Sequence, residues 1–415
     1  MKKILPSYEK QKFWLKALST SHQFPKIDLD EQIERNKSYL SHWFSPWREI
    51  DTDHHSIISD PLGYSTSVNQ IDQYAVLLKE MFDRYMSRHY WAYNRQKITQ
   101  KFWDSLLTEV DFHSFPNMLS NGMATEASDI RLMPTDLPVY PTEDSFTIDH
   151  FQMSHLNFNT PVKLLHRSLS KRWVFVVSGH VYGWVKATAV AKIDADQQSA
   201  YESFDSWVVL MEDGKDISDD KGWCFTSRVG QVLPLDGGHI VMAKKTIDGH
   251  TQIEHLSLSG VKHQPFPCPI NQEHWFALIN ELMHKPYGWG DLYGMRDCSR
   301  LIVDLWSCFG YWIPRSSSEQ ANMVNVFTIP PKVGDRSQWL VEHAVSGQTI
   351  LYMPGHVVLY MGEVDSVPMI FQSIWGPKNS SCWIGESAIM PLDFDSGLPG
   401  HYVNLVDRIT RLILI

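Results

Sequence analysis

Two residues lie in sequence contexts that could support thiol chemistry. Cys298 follows Asp297 and opens an apolar run that ends at Gly310. Because Asp is a favoured N-cap, this pattern predicts a helix with Cys298 in its first turn. There the unpaired N–H groups and the helix dipole favour a thiolate over a thiol. A thiolate is a nucleophile that needs no cofactor. His356 begins an apolar run typical of a strand, so the two residues indicate a thiol hydrolase with a histidine base.

Length, charge and cysteine content limit the classes of protein to consider. The chain has 415 residues, too long for one ordinary core, and predicts about two to four domains. Its net charge of −10 argues against nucleic acid as a partner, since phosphate binding requires a basic surface. The five cysteines are scattered and odd in number, so we expect no disulfide framework, although a single bridge stays open. No pair of them has the close spacing of a zinc knuckle, so we expect no metal, and thiol chemistry requires no cofactor.

The sequence features that target proteins to membranes or export do not determine the cell compartment of this protein. No window of the sequence approaches the roughly 20 apolar residues of a membrane span, so we predict no transmembrane segment. The N-terminus begins with two lysines but lacks the apolar core of a signal peptide. Three expectations stay open: the protein remains in the cytoplasm, its leader is missing from the numbered chain, or it is exported to the periplasm or beyond by another route.

The pattern along the chain predicts an α+β multidomain protein. Apolar residues recur at helical spacing over 72–89 and 98–110, whereas short strand-like runs dominate from 130 to 258. A proline-rich linker then precedes two helices and several strands, which is the order of an α+β domain. The predicted domains are a helical N-terminal domain at 1–125, a first small β-barrel at 126–195, a second at 196–262 and an α+β domain at 263–415.

Four motifs resemble, in chain order, those of the NlpC/P60 cysteine peptidases of bacterial cell walls. They are Tyr287-Gly288-Trp289-Gly290, Asp297-Cys298-Ser299, Pro314-Arg315-Ser316 and Gly355-His356-Val357. The architecture is similar to the subgroup that cleaves γ-D-glutamyl-L-diamino-acid bonds in peptidoglycan stem peptides. In that subgroup a helical segment and two bacterial SH3-like barrels precede the peptidase. The resemblance therefore implies two SH3-like barrels and a C-terminal peptidase domain with a papain-like core of permuted topology.

The resemblance assigns catalytic roles to three residues. Cys298 is the nucleophile, His356 is the base, and Gln372 is the polar residue that orients the histidine. Many relatives have a histidine at this third position, shortly before a Trp-Gly pair that is Trp375-Gly376 in this chain. A glutamine carbonyl can accept the imidazole N–H and fix its tautomer but carries no charge, so its expected role is orientation alone.

Residues around the cysteine are predicted to contact the substrate. The backbone N–H of Cys298 and the side chain of Tyr287 would hold the oxyanion. Trp289 would wall the groove or pin its loop, and Ser299 would donate to a substrate carboxylate. Arg300 stands where relatives usually have a small residue, and it would narrow the cleft or bind a substrate carboxylate.

Three more residues are assigned to substrate binding at a greater distance in sequence. Ser316 and Ser317 stand where relatives that bind a free N-terminal amine often place Asp-Ser. Tyr182 on the first barrel would close the end of the groove. The barrel itself would limit the length of the acyl side and so select trimmed stems with a free N-terminal L-Ala over intact wall.

Three functions remain open from the sequence. The first is a peptidase that hydrolyses the γ-D-glutamyl bond to diaminopimelate or lysine, acts on muropeptides as a monomer, and takes part in murein recycling. The second is a cell-wall-binding module with a degenerate peptidase domain, which Arg300 and Gln372 motivate. The third is an acyltransferase or transamidase that uses the same cysteine and histidine.

Overall fold

The described part of the chain is a mixture of helices and mostly antiparallel sheets, which confirms the predicted α+β class. A computed structural model describes residues 2–48, 56–59, 65–68, 71–219, 222, 224–330, 334–376, 382–395 and 402–415. Among these residues, no helix combines the length and the apolar character needed to cross a membrane.

The N-terminal segment is mostly helical, as predicted. Its elements are β1 (Lys2–Lys3), α1 (Tyr8–Thr20), α2 (Leu29–Trp43), β2 (Ser56–Ser59), β3 (Ser65–Val68), α3 (Ile71–Met86) and α4 (Gln100–Val110). Ser7, Asp28 and Thr99 cap α1, α2 and α4, because each side chain accepts a hydrogen bond from the backbone N–H three residues further on.

The N-terminal helices divide between two neighbouring cores. Leu18 on α1 and Tyr39 on α2 belong to the large apolar cluster that also contains the Cys298 helix. Phe82 on α3 and Trp103 on α4 instead pack with Phe151 and other residues of the first β-domain. The first half of the segment therefore packs against the C-terminal domain, and its second half packs against the first β-domain.

The first β-domain is an antiparallel sheet in the order β10-β4-β7-β8-β9-β5-β6. Its strands are β4 (Ser120–Ala124), β5 (Ser128–Arg131), β6 (Gln152–Leu156), β7 (Pro161–Arg167), β8 (Trp173–Ser178), β9 (Tyr182–Lys186) and β10 (Val190–Lys192). The sheet begins earlier than the predicted boundary at 126, because β4 pairs with β7 and β10. Gly122 and the small polar residues of β4 hide its strand character in the sequence.

The second β-domain follows α5 (Ala195–Glu202) and has the sheet order β16-β15-β14-β11-β17, with β12 and β13 as a separate hairpin. Its strands are β11 (Trp207–Leu210), β12 (Asp216–Ser218), β13 (Cys224–Thr226), β14 (Val232–Asp236), β15 (His239–Lys245), β16 (Thr251–Leu256) and β17 (His263–Pro265). β17 extends the sheet beyond the predicted boundary at 262, since the start of the proline-rich linker pairs with β11.

The C-terminal domain packs helices on a sheet of order β18-β26-β19-β20-β21-β23. Its elements are α6 (Gln272–Leu282), α7 (Cys298–Ser307), α8 (Ser317–Gln320), β18 (Val326–Thr328), α9 (Arg336–His343), β19 (Thr349–Met353), β20 (His356–Val364), β21 (Val367–Ile374), β22 (Cys382–Trp383), β23 (Glu386–Pro391), β24 (Asp393–Asp395), β25 (Tyr402–Asn404) and β26 (Arg411–Leu414). The helix that begins at Cys298 packs against β20 and β21 and is buried along its whole length.

The first β-domain closely approaches the loop before α7, the second β-domain closely approaches α7 itself, and each contact is made at a glycine. Gly290, in the loop before α7, has φ of 59°, and a Cβ atom there would lie 2.7 Å from the carbonyl oxygen of Gln152 in the first β-domain. Gly230 of the second β-domain has φ of 82°, and a Cβ atom there would collide with the carbonyl oxygen of Asp304 on α7. Glycine therefore permits contacts that hold α7 and its preceding loop between three domains.

Candidate active site

Cys298 is the first residue of α7, at the predicted position after its N-cap. Oδ1 of Asp297 accepts a hydrogen bond from the backbone N–H of Arg300 at 2.8 Å. The residues of α7 are packed by the sheet on one side and by the β-domains on others, so the thiol has a fixed position. Cys298 keeps 9% of its surface exposed, and His356 keeps 8%.

His356 and Gln372 are neighbours across two strands of the sheet. β20 begins at His356, and the antiparallel register that sets Leu359 opposite Phe371 places Gln372 diagonally from the histidine on the same face. Oε1 of Gln372 accepts a hydrogen bond from Nε2 of His356 at 2.7 Å, while Nε2 of the glutamine donates to Sδ of Met390. With its proton on Nε2, the imidazole has Nδ1 available as a base. The geometry is that of an orienting residue, and the catalytic role of Gln372 stays a prediction.

The thiol and the imidazole are both neutral in this buried site. The backbone N–H of Val357, the residue after His356, lies within hydrogen-bonding reach of the Cys298 sulfur. Burial raises the pKa of the Cys298 thiol to about 12, and the carboxylate of Asp297 raises it as well. Burial also lowers the pKa of His356 to about 4. The predicted thiolate is therefore wrong for the resting site, because loss of hydration outweighs the stabilisation offered by the helix start.

Thiol alkylation measures this protonation state. We expect iodoacetamide to modify Cys298 more slowly at pH 7 than it modifies free cysteine, whose pKa is about 8.5. The rate should rise with pH across the alkaline range, since only the thiolate reacts. Mass spectrometry of the Cys298 peptide gives the rate, and Cys298→Ala identifies reaction at the other thiols. Rapid modification near pH 6 would contradict a neutral thiol.

Arg315 ties the start of α7 to the first β-domain. Its guanidinium donates to Oδ2 of Asp297 at 2.8 Å and to Oδ1 at 3.2 Å. It also donates to Oγ of Ser299 at 2.9 Å and to Oγ of Ser154, on β6, at 2.7 Å. Burial alone would raise the pKa of Asp297, but the ion pair with Arg315 outweighs burial and lowers it. The residue before the nucleophile is thus a buried carboxylate held by a buried arginine.

Ser299 belongs to this structural arrangement, and its predicted contact with a substrate carboxylate is not supported. Its hydroxyl group donates to Oδ1 of Asp297 at 3.1 Å and accepts from Arg315. A hydroxyl has only one proton to donate. Because that proton is used within the protein and the residue is 4% exposed, Ser299 offers no free donor to a ligand.

A buried ionic cluster joins the inner face of α7 to the second β-domain. It contains three arginines and three aspartates: Arg228, Arg296, Arg300, Asp213, Asp291 and Asp304. Asp304 is its centre, with Nε of Arg296 at 2.7 Å, Nε of Arg300 at 2.7 Å and Nε of Arg228 at 2.8 Å. Arg300 and Asp304 are four residues apart on α7 and share one face of the helix, whereas Arg296 reaches Asp304 from the loop just before the helix.

This cluster corrects the prediction for Arg300. The side chain is 6% exposed and pairs with Asp304 and Asp291 on the inner face of α7. Burial lowers the pKa of its guanidinium, and Arg228 and Arg315 nearby act in the same direction, against the aspartates. Arg300 is therefore a structural residue behind the nucleophile, and it neither narrows the cleft nor binds a substrate carboxylate.

Tyr182 is also placed differently from its prediction. It is 3% exposed, and its hydroxyl group donates to Sδ of Met81 on α3 at 3.2 Å. Its ring packs against Tyr74 and Phe175 in the core shared by α3 and the first β-domain. Tyr182 is thus committed to the interior of that core and does not close the end of a groove.

Tyr287 lies close to the nucleophile, at the start of the glycine- and aromatic-rich loop. Burial raises the pKa of Tyr287 well above its usual value, and the neighbouring Asp297 carboxylate acts in the same direction. The phenol is therefore a neutral hydrogen-bond donor. Trp289 follows in the same loop, partly buried, and its indole N–H has no acceptor among the described residues.

Ser316 and Ser317 begin the short helix α8 and are partly exposed. Oγ of Ser316 accepts from the backbone N–H of Glu319 at 3.2 Å, and Oε2 of Glu319 accepts from the backbone N–H of Ser316 at 3.0 Å. This capping box gives Ser316 a structural role. Substrate contacts by Ser316 and Ser317 stay predictions.

The sequence interpretation named Asp297 as the N-cap and placed Arg315 in a recognised motif as a structural anchor for its loop. It did not identify the bonds of Arg315 to Asp297, Ser299 and Ser154. Ser154 carried no local signal, because its contact with Arg315 joins two domains. Among the described residues, no group of three or more histidine, cysteine or acidic side chains is arranged to hold a metal ion.

A cysteine at a helix start beside a histidine on the adjoining sheet is the arrangement of cysteine hydrolases. Three family models match consecutive parts of the chain. Residues 11–115 match the N-terminal NLPC_P60 stabilising domain, residues 138–186 match an SH3 domain of the SH3b1 type, and residues 284–370 match the NlpC/P60 family. Residues 284–370 are thus similar to the NlpC/P60 family, whose peptidases are cysteine hydrolases that act on peptidoglycan.

A solved structure with the same fold covers most of this chain. A structure described as a novel NlpC/P60 endopeptidase from Photobacterium damselae subsp. piscicida is similar with a TM-score of 0.81 and 22% identity, over 94% of this chain and 93% of that one. An NlpC/P60 family protein from Bacillus cereus ATCC 10987 matches with a TM-score of 0.49 and 15% identity, over 71% of this chain and 99% of that one. No curated protein matches the chain.

Proposed function

We propose that this protein is a cysteine peptidase that hydrolyses the γ-D-glutamyl-L-diamino-acid bond of peptidoglycan stem peptides. The observation that carries the proposal is the local arrangement of three groups. The Cys298 sulfur is next to the backbone of Val357, and the preceding His356 is held by Gln372 at 2.7 Å. The similarity of residues 284–370 to the NlpC/P60 family supports peptidoglycan as the source of the substrate.

The neutral pair dictates the order of proton transfers. Nδ1 of His356 accepts the thiol proton as the Cys298 sulfur attacks the γ-D-glutamyl carbonyl carbon. The backbone N–H of Cys298 and the neutral phenol of Tyr287 donate to the developing oxyanion. The imidazolium then gives its proton to the departing amine of the diamino acid. Water, activated by the same histidine, hydrolyses the thioester and releases the free enzyme.

The first β-domain supports the preference for trimmed stems. Through β6 it contacts the loop that leads to the nucleophile: Nε2 of Gln152 donates to the carbonyl oxygen of Gly290 at 3.0 Å. Ser154, on the same strand, holds Arg315 beside Cys298. A domain packed this closely against the site would limit the acyl side of the substrate, which favours a stem with a free N-terminal L-Ala over intact wall.

The contacts of two unusual residues weaken the case for a degenerate domain. Arg300 and Gln372 depart from the usual family pattern, and they motivated that alternative. Arg300 is used in the buried ionic cluster, and Gln372 accepts a hydrogen bond from the histidine, so neither substitution disturbs the thiol and imidazole. The same geometry would serve an acyltransferase, and the acceptor has to be determined by product analysis.

Hydrolysis of a defined tripeptide tests the proposal. Wild type and Cys298→Ala are incubated with L-Ala-γ-D-Glu-diaminopimelate, its N-acetyl derivative and intact sacculi, and the products are identified by mass spectrometry. We expect L-Ala-D-Glu and free diaminopimelate from the free-amine tripeptide, less from the other substrates, and none with Cys298→Ala. Cleavage at another bond, equal rates with Cys298→Ala, or transfer to an added amine in place of hydrolysis would contradict the proposal.

A further inference from the structure

The outer strand of the first β-domain, β6, is anchored on the C-terminal domain. Nε2 of Gln152 donates to the carbonyl oxygen of Gly290 at 3.0 Å. Oδ1 of Asp129, on the adjacent β5, accepts from the backbone N–H of Tyr293 at 3.0 Å. Both partners lie in the loop between Tyr287 and α7. Because two neighbouring strands are bonded to this loop, the side chains on that face of β6 hold fixed positions relative to the C-terminal domain.

Ser154 lies on the same face of β6 as Gln152, since side chains two residues apart in a strand point the same way. It is fully buried, and its Oγ accepts a hydrogen bond from Nε of Arg315 at 2.7 Å. The other described bonds of this guanidinium stay within the C-terminal domain, on Asp297 and Ser299. Ser154 is thus the residue through which the first β-domain orients the guanidinium.

The contacts of Arg315 continue to the backbone around the nucleophile. Its nitrogens donate to both oxygens of Asp297, and Oδ1 of Asp297 accepts from the backbone N–H of Arg300 at 2.8 Å. This cap fixes the first turn of α7, which contains Cys298. The contacts from Ser154 to Arg315, from Arg315 to Asp297 and from Asp297 to the helix start form a continuous relay between the two domains.

A neutral acceptor suits the position of Ser154 in this relay. A carboxylate there would compete with Asp297 for the guanidinium, whereas a hydroxyl group orients Nε and leaves the charge of Arg315 to Asp297. Burial by itself would raise the pKa of Asp297, but the ion pair with Arg315 lowers it. The cap therefore stays ionised, and an ionised carboxylate is a strong acceptor for the backbone N–H groups of a helix start.

We propose that Ser154 is a positioning residue for the reaction of Cys298 and acts through Arg315 and Asp297. The inference rests on the proposed peptidase function, and it gives the first β-domain a role beyond limiting the length of the substrate. The Cys298 sulfur attacks the carbonyl carbon while the backbone N–H of the same residue donates to the oxyanion. A rotation of the first turn of α7 would misplace both groups, and a displacement of about 1 Å can lower a rate strongly.

Removing one hydroxyl group tests this role by kinetics. With L-Ala-γ-D-Glu-diaminopimelate, we expect Ser154→Ala to lower kcat by about tenfold, the lower end of the range for a hydrogen bond to a charged group. KM should not change, because a fully buried serine cannot touch the substrate. Ser168→Ala is the matched control and should keep the full kcat. Ser168 is a buried serine of the same domain, and its Oγ accepts from the backbone N–H of Trp173.

A double-mutant cycle shows whether Ser154 acts through Arg315. Arg315→Lys keeps a positive charge for Asp297, but its single nitrogen cannot replace guanidinium nitrogens that bond to both Asp297 and Ser154. We expect Arg315→Lys to lower kcat, and Ser154→Ala to cause no further loss in that background, because the bond it removes is already absent. With wild type active, an unchanged kcat in Ser154→Ala, or an equal further loss in the double variant, would overturn the proposal.

Hydrogen–deuterium exchange tests the same relay without substrate. We expect Ser154→Ala to accelerate exchange at the start of α7 but not in α6, and Ser168→Ala to leave both helices unchanged. Faster exchange confined to the start of α7 supports the positioning role, even if wild type does not cleave the tripeptide and the proposed function fails. Unchanged exchange at this helix start would overturn it.

Discussion

Replacing His356 by alanine is expected to lower kcat/KM on a stem tripeptide by about 10³-fold to 10⁴-fold, near the upper limit for loss of a general base. The burial of Cys298 makes the effect large. With a pKa of about 12, only about 10⁻⁵ of the thiol is ionised at pH 7, so attack depends on a base that takes the proton during the reaction. Initial rates over a range of substrate concentrations provide the measurement.

Variants of Gln372 provide matched controls for the loss of kcat/KM in His356→Ala. Gln372→Ala removes only the hydrogen bond to the imidazole, which is worth about 1.5–3 kcal/mol once the histidine is charged, so the loss should be about tenfold to a hundredfold. Gln372→His should retain most of the activity. Gln372→Glu should move the acidic limb of the pH profile to higher pH, because a carboxylate stabilises the imidazolium and raises the pKa of His356. An unchanged rate in His356→Ala would contradict its role as base.

The pH at which the activity of wild type falls on the acidic side is set by the pKa of His356. The histidine must be neutral to accept the thiol proton, and burial lowers its pKa to about 4. Activity limited by this group should therefore persist below pH 6.5, the usual pKa of histidine, and decline near pH 4. The alkaline limb distinguishes this neutral pair from a preformed thiolate–imidazolium pair, because only the ion pair loses activity when its histidine is deprotonated.

Replacing Asp304 by asparagine is expected to lower the free energy of unfolding by about 3–5 kcal/mol. The substitution preserves shape but leaves Arg228, Arg296 and Arg300 opposite two carboxylates instead of three. Burial would by itself raise the pKa of Asp304, yet the arginines outweigh burial and lower it, which shows how strongly they stabilise its charge. Denaturant unfolding monitored by tryptophan fluorescence and by circular dichroism gives the change.

An exposed ion pair provides the control for this prediction. Asp136 pairs with Lys186 on the first β-domain, with 71% of the aspartate side chain and 41% of the lysine side chain exposed. Asp136→Asn should change the free energy of unfolding by no more than about 1 kcal/mol, since water already solvates both charges. Equal and small losses in Asp304→Asn and Asp136→Asn would contradict an essential role for the buried cluster.

Local patterns determined much of the architecture. The Asp297 cap and the apolar run after it predict α7, and the Pro-Gly pair before His356 predicts the start of β20. Caps, turns and apolar periodicity act over a few residues, and they can therefore be recognised from sequence alone. The boundaries were less exact, because β4 and β17 are short segments whose strand character depends on their partners.

The roles of side chains around the nucleophile depended on contacts between domains. Ser299, Arg300 and Tyr182 were predicted to face substrate, yet each is buried and bonded to other groups of the protein. The helix start suggested a thiolate, and the surrounding domains reversed that expectation by removing water from Cys298. The sequence by itself determined which residues could react and which local elements carry them. Only the tertiary structure decided their protonation and their partners, because burial and ion pairing arise when distant segments pack together.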